Sequence, residues 1–166
     1  MASDPNQPLS ATAAASVTDP APPPGFKPLQ RLGEFIQVNG PLYLLHEGGT
    51  VRLGLRIESR HTNPMGICHG GMLASFCDML LPLAIHRQSE VGARFLPTIN
   101  LQIDYLAAAP LGAWLEGEAQ VLRVTRTLVF AQGLVTADGT PAVRTSGIFK
   151  IGPPFDGTPR TGTPSP

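Results

Sequence analysis

At 166 residues, 42% of them hydrophobic and 14% charged, the chain has the length of one domain and enough apolar material for a single core. Its 12 basic and 12 acidic side chains cancel and no Lys/Arg cluster stands out, which argues against a nucleic-acid partner. No apolar run approaches the ~18 residues of a spanning helix. Residues 1–24 hold neither Lys nor Arg nor the apolar core of a secretory signal, so the expected location is cytoplasmic.

Most of the 18 prolines fall in residues 1–25 and 152–166, mixtures of Ala, Pro, Ser, Thr and Gly with few large apolar side chains. Both segments are expected to be disordered tails, leaving residues 26–151 as the folded domain. Phe26 to Leu32 is compatible with a short helix, Pro28 falling in its first turn. Phe35 to Val38 and Leu42 to Leu45 read as strands joined by Asn39-Gly40, a strong hairpin signal. Gly48-Gly49 then turns the chain into a strand in which Val51, Leu53, Leu55 and Ile57 alternate with Arg52, Gly54, Arg56 and Glu58.

His61 to Cys68 is a loop rich in turn formers. A helix follows from about Gly70 to Gln88, apolar nearly all round, and Pro82 within it is expected to kink it or interrupt its bonding. Asp78 puts a carboxylate in that run, which is costly unless the group is partnered or working. In the next strand, Thr98 to Leu106, alternation places Ile99, Leu101, Ile103 and Tyr105 on one face and Thr98, Asn100, Gln102 and Asp104 on the other. Strands around Leu115 to Val121 and Thr127 to Thr136 come next. Asp138-Gly139 then turns the chain into Ala142 to Ile151. Glycines 112, 117, 133 and 147, in or beside these strands, fit bulges or sheet curvature. The predicted fold is α+β: a single antiparallel sheet wrapped around one long central helix.

The segment Asn63-Pro64-Met65-Gly66-Ile67-Cys68-His69-Gly70-Gly71, with Asp78 nine residues after the histidine, carries a family likeness. In motif and spacing it resembles the hotdog-fold acyl-CoA thioesterases of the PaaI-like (phenylacetate-degradation) type. The likeness covers residues 26–151, with Thr98 where relatives carry Ser or Thr, and Asp104-Tyr105-Leu106, Pro110 and Gly112 matching their strand and turn. It implies hydrolysis of an acyl- or aryl-acyl-CoA thioester to the free acid and CoA, with Asp78 as nucleophile or general base. Asn63 would position water or thioester, His69 would orient the loop or the substrate carbonyl, and Thr98 would bond the attacking water. The resemblance also implies a homodimer, often paired into a homotetramer.

Thioester hydrolysis passes through an oxyanion, which the free amides and dipole of a helix N-terminus suit, so Gly70 or Gly71 is the expected donor. Eight residues of helix separate Gly70 from Asp78 by about 12 Å along the axis and roughly 80° around it. A donor and a base so placed cannot serve one carbonyl carbon. Two antiparallel copies about a two-fold axis would set Gly70 of one chain against Asp78 of the other, so the spacing itself argues for a dimer with two shared sites.

Met72, Phe76 and Phe95, with Leu96 and Pro97, are candidate pocket residues. Arg123, Arg126 and Arg144 are candidates for the CoA phosphates, although solvated strand ends explain them equally well. His46, His61, His69 and His86 lack ligand spacing, so no metal is expected, and coenzyme A enters only as part of the substrate. Cys68 and Cys77 are expected to be inert buried thiols that cannot bridge each other along one helix. Taken alone, Asp78 would equally suit a buried hydrogen-bond network, and His69-Gly70-Gly71 a tight helix start. The alternatives to an esterase are a non-catalytic acyl-CoA-binding hotdog protein that senses or regulates, and a hotdog dehydratase. The Gly-Gly pair after His69 argues against the dehydratase.

Overall fold

The computed structural model describes residues 21–30 and 33–155. Gly48 and Gly49 both take positive φ, 57° and 83°, and close a hairpin between β2 (Tyr43–Glu47) and β3 (Thr50–Arg56). Beyond them come β4 (Thr98–Tyr105) and the meander β5 (Trp114–Val124), β6 (Leu128–Ala137) and β7 (Thr140–Lys150). A two-residue strand, β1 (Lys27–Pro28), pairs with β2. All neighbours are antiparallel, in the order β1-β2-β3-β5-β6-β7-β4, so β4 closes one end of a seven-stranded sheet.

The long helix has the bounds its sequence predicts, and is helical throughout, Pro82 included; we label it α2 (Gly70–Gln88). Phe76, Leu80, Leu81 and Ile85 on α2 meet Leu53, Leu55, Leu115 and Phe149 of the sheet, all buried to within 1%. Two absent side chains allow this approach. A Cβ at Gly117 would stand 2.7 Å from Leu80, and one at Gly147 would stand 2.7 Å from Phe149 and 2.9 Å from Leu81, so these packed side chains would have to shift.

The N-terminal expectations change. Phe26 to Leu32 supplies β1 rather than a helix, with Lys27 opposite Leu44 and Pro28 opposite Tyr43; residues 31–32 lie outside the described residues. Phe35 to Val38 is not a strand but part of helix α1 (Gly33–Asn39). Four residues, three of them apolar, are too few to separate the two states by period. On a helix they bury Ile36 and leave Phe35 and Val38 exposed. Asn39-Gly40 therefore ends a helix instead of turning a hairpin. The Asn39 amide donates to Phe35 O at 2.8 Å, and Pro41 has no N–H to give a ladder.

At the other end, the chain continues its pairing past Ile151. Phe95 N–H donates to Pro153 O and Phe155 N–H to Ala93 O, each at 2.9 Å, and the Phe155 ring lies 6.0 Å from that of Phe95. Of the two expected tails, residues 1–20 and 156–166 lie outside the described residues. Among the described residues no helix is long and apolar enough to cross a membrane.

Candidate active site

Asn63 shapes the loop that leads into α2. Its side-chain oxygen accepts from Met65 N–H and its carbonyl from Gly66 N–H, both at 2.9 Å, an Asx turn that Gly66 completes at φ 71°. The loop is pinned to the segment after β4 by Cys68 N–H to Ala109 O at 2.7 Å and Leu111 N–H to Gly66 O at 3.1 Å. The Asn63 oxygen is thus committed to the loop, and only its NH2 group is left to face a ligand.

His69 is the N-cap of α2. Its backbone N–H bonds the carbonyl of the buried His61 at 2.8 Å, and its Nδ1 accepts from Gly71 N–H at 2.9 Å. A neutral ring that accepts at Nδ1 carries its proton on Nε2. The two glycines are therefore not equivalent. Gly71 N–H is taken by its own cap, whereas Gly70 N–H has no acceptor among the described residues. His61, which supports this cap, has a pKa held below the usual histidine value, by burial first and the neighbouring Arg60 second.

Asp78 sits half-buried two turns along, where its Oδ1 accepts the Thr98 hydroxyl at 2.8 Å. The strict alternation expected for β4 would point Thr98 away from α2. A register shift between Thr98 and Asn100 inserts Ile99 as an extra residue, so Thr98 pairs with Phe149 while Tyr105 pairs with Val143. Phe149 and Val143 both turn inward and are buried, so Thr98 and Tyr105 share the helix-facing side. Thr98 consequently holds the carboxylate itself. At the other end of the strand, Tyr105 donates its hydroxyl to Gly70 O at 3.0 Å.

Met72, with Phe35 of α1, lines a hollow of about 320 Å³ next to His69, Gly71 and Ser75. Phe76 is 1% exposed and belongs to the core, and Phe95 is 51% exposed against Phe155. The motif did not separate these roles, because α2 is apolar on every side. Arg123 and Arg126 are exposed around the β5–β6 turn and have no acidic partner among the described residues. Arg144 is elsewhere, in an ion pair with Asp104 at 2.7 Å on the outer sheet face. That face carries a hollow of about 820 Å³ between Arg52, Glu118, Gln132 and Arg144, on the opposite side of the sheet from Asp78 and Gly70. Burial pushes the thiols of Cys68 and Cys77 up to about 11 and about 12, which keeps both protonated and unreactive near neutrality.

Residues 65–143 match the family model of the thioesterase superfamily. Zebrafish thioesterase superfamily member 2, a solved structure, is 32% identical, with a TM-score of 0.61 over 67% of this chain and 81% of its own. The chain belongs to the thioesterase superfamily. This thioesterase has the hotdog fold and is a thioester hydrolase. Human acyl-coenzyme A thioesterase 13 is 29% identical to it over 116 residues, 69% of this chain and 81% of that protein. The phenylacetic acid degradation protein PaaI of Thermus thermophilus shares its fold at 21% identity, with a TM-score of 0.61 over 70% of this chain and 97% of that one.

Proposed function

We propose that this thioesterase hydrolyses acyl- or aryl-acyl-coenzyme A, giving a carboxylate and the free CoA thiol. The observation that carries the proposal is one carboxylate in an otherwise apolar helix. Asp78 is fixed through one oxygen by Thr98, while the other has no partner among the described residues. That second oxygen takes a proton from water as general base, or attacks the thioester carbonyl as nucleophile. The charge that develops on the carbonyl oxygen is met by Gly70 N–H, an unengaged amide at the positive end of α2. The Asn63 NH2 and the His69 Nε2–H orient the thioester, and the hollow beside Met72 and Phe35 receives acyl carbons.

Donor and base stand about 12 Å apart on one helix, so the working site joins Gly70 of one subunit to Asp78 of another. The outer edge of β4 supports this reading. Among the described residues it ends the sheet unpaired, and it presents Ile99, Tyr105 and Leu106, each more than half exposed. Two copies meeting there continue the sheet and cover that apolar surface. Arg123 and Arg126 lie toward the end of the sheet that holds Thr98, which supports a role on the CoA phosphates. Arg144 is already engaged by Asp104 and is the weaker candidate.

A panel of short, medium and aryl acyl-CoA substrates, with released thiol read by a chromogenic disulfide, tests the proposal. Release of CoA from at least one of them is the expected result. Binding without release from any would instead make the chain an acyl-CoA-binding protein.

A further inference from the structure

We propose that Tyr105 is a positioning residue for the active site, acting through the peptide unit that links Gly70 to Gly71. The inference rests on the site assignment above and goes beyond it. Tyr105 O–H donates to Gly70 O at 3.0 Å, and Gly71 N–H donates to His69 Nδ1 at 2.9 Å. The carbonyl and the N–H are the two ends of one amide, so the bonds lie in series: phenol, peptide, imidazole. A hydrogen bond to an amide oxygen polarises the group and makes its N–H a better donor.

Two consequences follow for the site. The His69 ring is held with Nδ1 as acceptor, which leaves its proton on Nε2, pointing outward from the helix start. The first turn of α2 is also tied to β4, the strand that holds Asp78 through Thr98. Thr98 and Tyr105 therefore fix the two ends of the reacting segment from a single strand. Glycine at position 70 belongs to this arrangement. A Cβ there would stand 3.3 Å from the Tyr105 hydroxyl and 3.4 Å from the ring carbon that bears it, tighter than ordinary packing.

Tyr105→Phe removes the hydroxyl and keeps the ring, so the packing on Gly70 survives and the relay loses its first member. Long-range proton–nitrogen NMR at alkaline pH distinguishes the two neutral imidazole tautomers. The wild type should show His69 as the Nε2–H form, and Tyr105→Phe should show a mixture of the two. In steady-state assays the variant should lose about fivefold in kcat with KM within twofold, since one neutral hydrogen bond is at stake. An Nδ1–H ring in the wild type, or identical tautomer populations in both proteins, overturns the relay. A changed tautomer with unchanged kcat overturns its part in turnover. If the wild type hydrolyses no thioester yet its tautomer responds to Tyr105→Phe, the proposed function fails and the relay stands.

Discussion

Gly70→Pro isolates the proposed oxyanion donor. Gly70 is the first residue of α2, the one helical position where proline is favoured, because its N–H has no partner inside the helix. His69 before it has φ −63° and ψ 137°, the extended conformation that a residue preceding proline prefers. The substitution therefore deletes one unengaged N–H and leaves the hydrogen-bonded amides of the first turn intact. Stability should change by less than about 1 kcal/mol, since the narrower unfolded ensemble offsets the contact with Tyr105. Loss of one oxyanion donor costs about 10²–10³ in kcat, or roughly 3–4 kcal/mol of transition-state stabilisation. Gly70→Ala is the control, because it adds a Cβ against the same tyrosine but keeps the N–H, and it should lose less than about tenfold. Steady-state kinetics on acyl-CoA, with circular dichroism to establish folding, decide the matter. If Pro and Ala at this position cost the same in kcat, Gly70 is not the donor.

Asp78→Asn should keep the oligomer and lower kcat by about 10²–10⁴, the range for a lost general base. Mixed with Gly70→Pro and allowed to exchange subunits, it should regain about a quarter of wild-type activity, because half the dimers would hold one intact shared site; no recovery would place the site within one chain. Thr98→Ala should lower kcat by about fivefold and Thr98→Ser should restore it, since the bond to Asp78 needs only the hydroxyl; equal activities would show that bond to be idle. His61 is held neutral by the fold, whereas in the unfolded chain it protonates near 6.5. Its contribution to stability is therefore present above that pH and is lost as pH falls below it. Thermal unfolding from pH 8 to pH 5 should decline less in His61→Asn than in the wild type, and parallel profiles would refute the coupling.

The bounds of α2 were legible because glycines mark its start and its apolar run is long. The alternating strands and the Gly48-Gly49 and Asp138-Gly139 turns were legible for similar local reasons. Helix α1 was not, since Phe35, Ile36 and Val38 around Gln37 fit either period and only Ile36 is finally buried. β1 was hidden by Pro28, which reads as a helix start until Tyr43 stands opposite it. Within the site, motif spacing named Asn63, His69, Asp78 and Thr98. It could not say which glycine amide stays unengaged, because that depends on the His69 ring turning back onto Gly71. Nor could it single out Tyr105, whose contact with Gly70 spans 35 positions.

Ile99, the extra residue in β4, has a consequence for reading this chain beside its relatives. Were β4 to pair regularly with Ile99 retained, Ile99 would take the place opposite Phe149 and the hydroxyl of Thr98 would turn away from the carboxylate, whereas deleting Ile99 would leave Thr98 opposite Phe149 and facing the helix. A serine or threonine aligned with position 98 is thus an equivalent group only where the strand bulges beside it or is shorter there by one residue. In this strand the parity of the residue count carries functional information that residue identity alone does not.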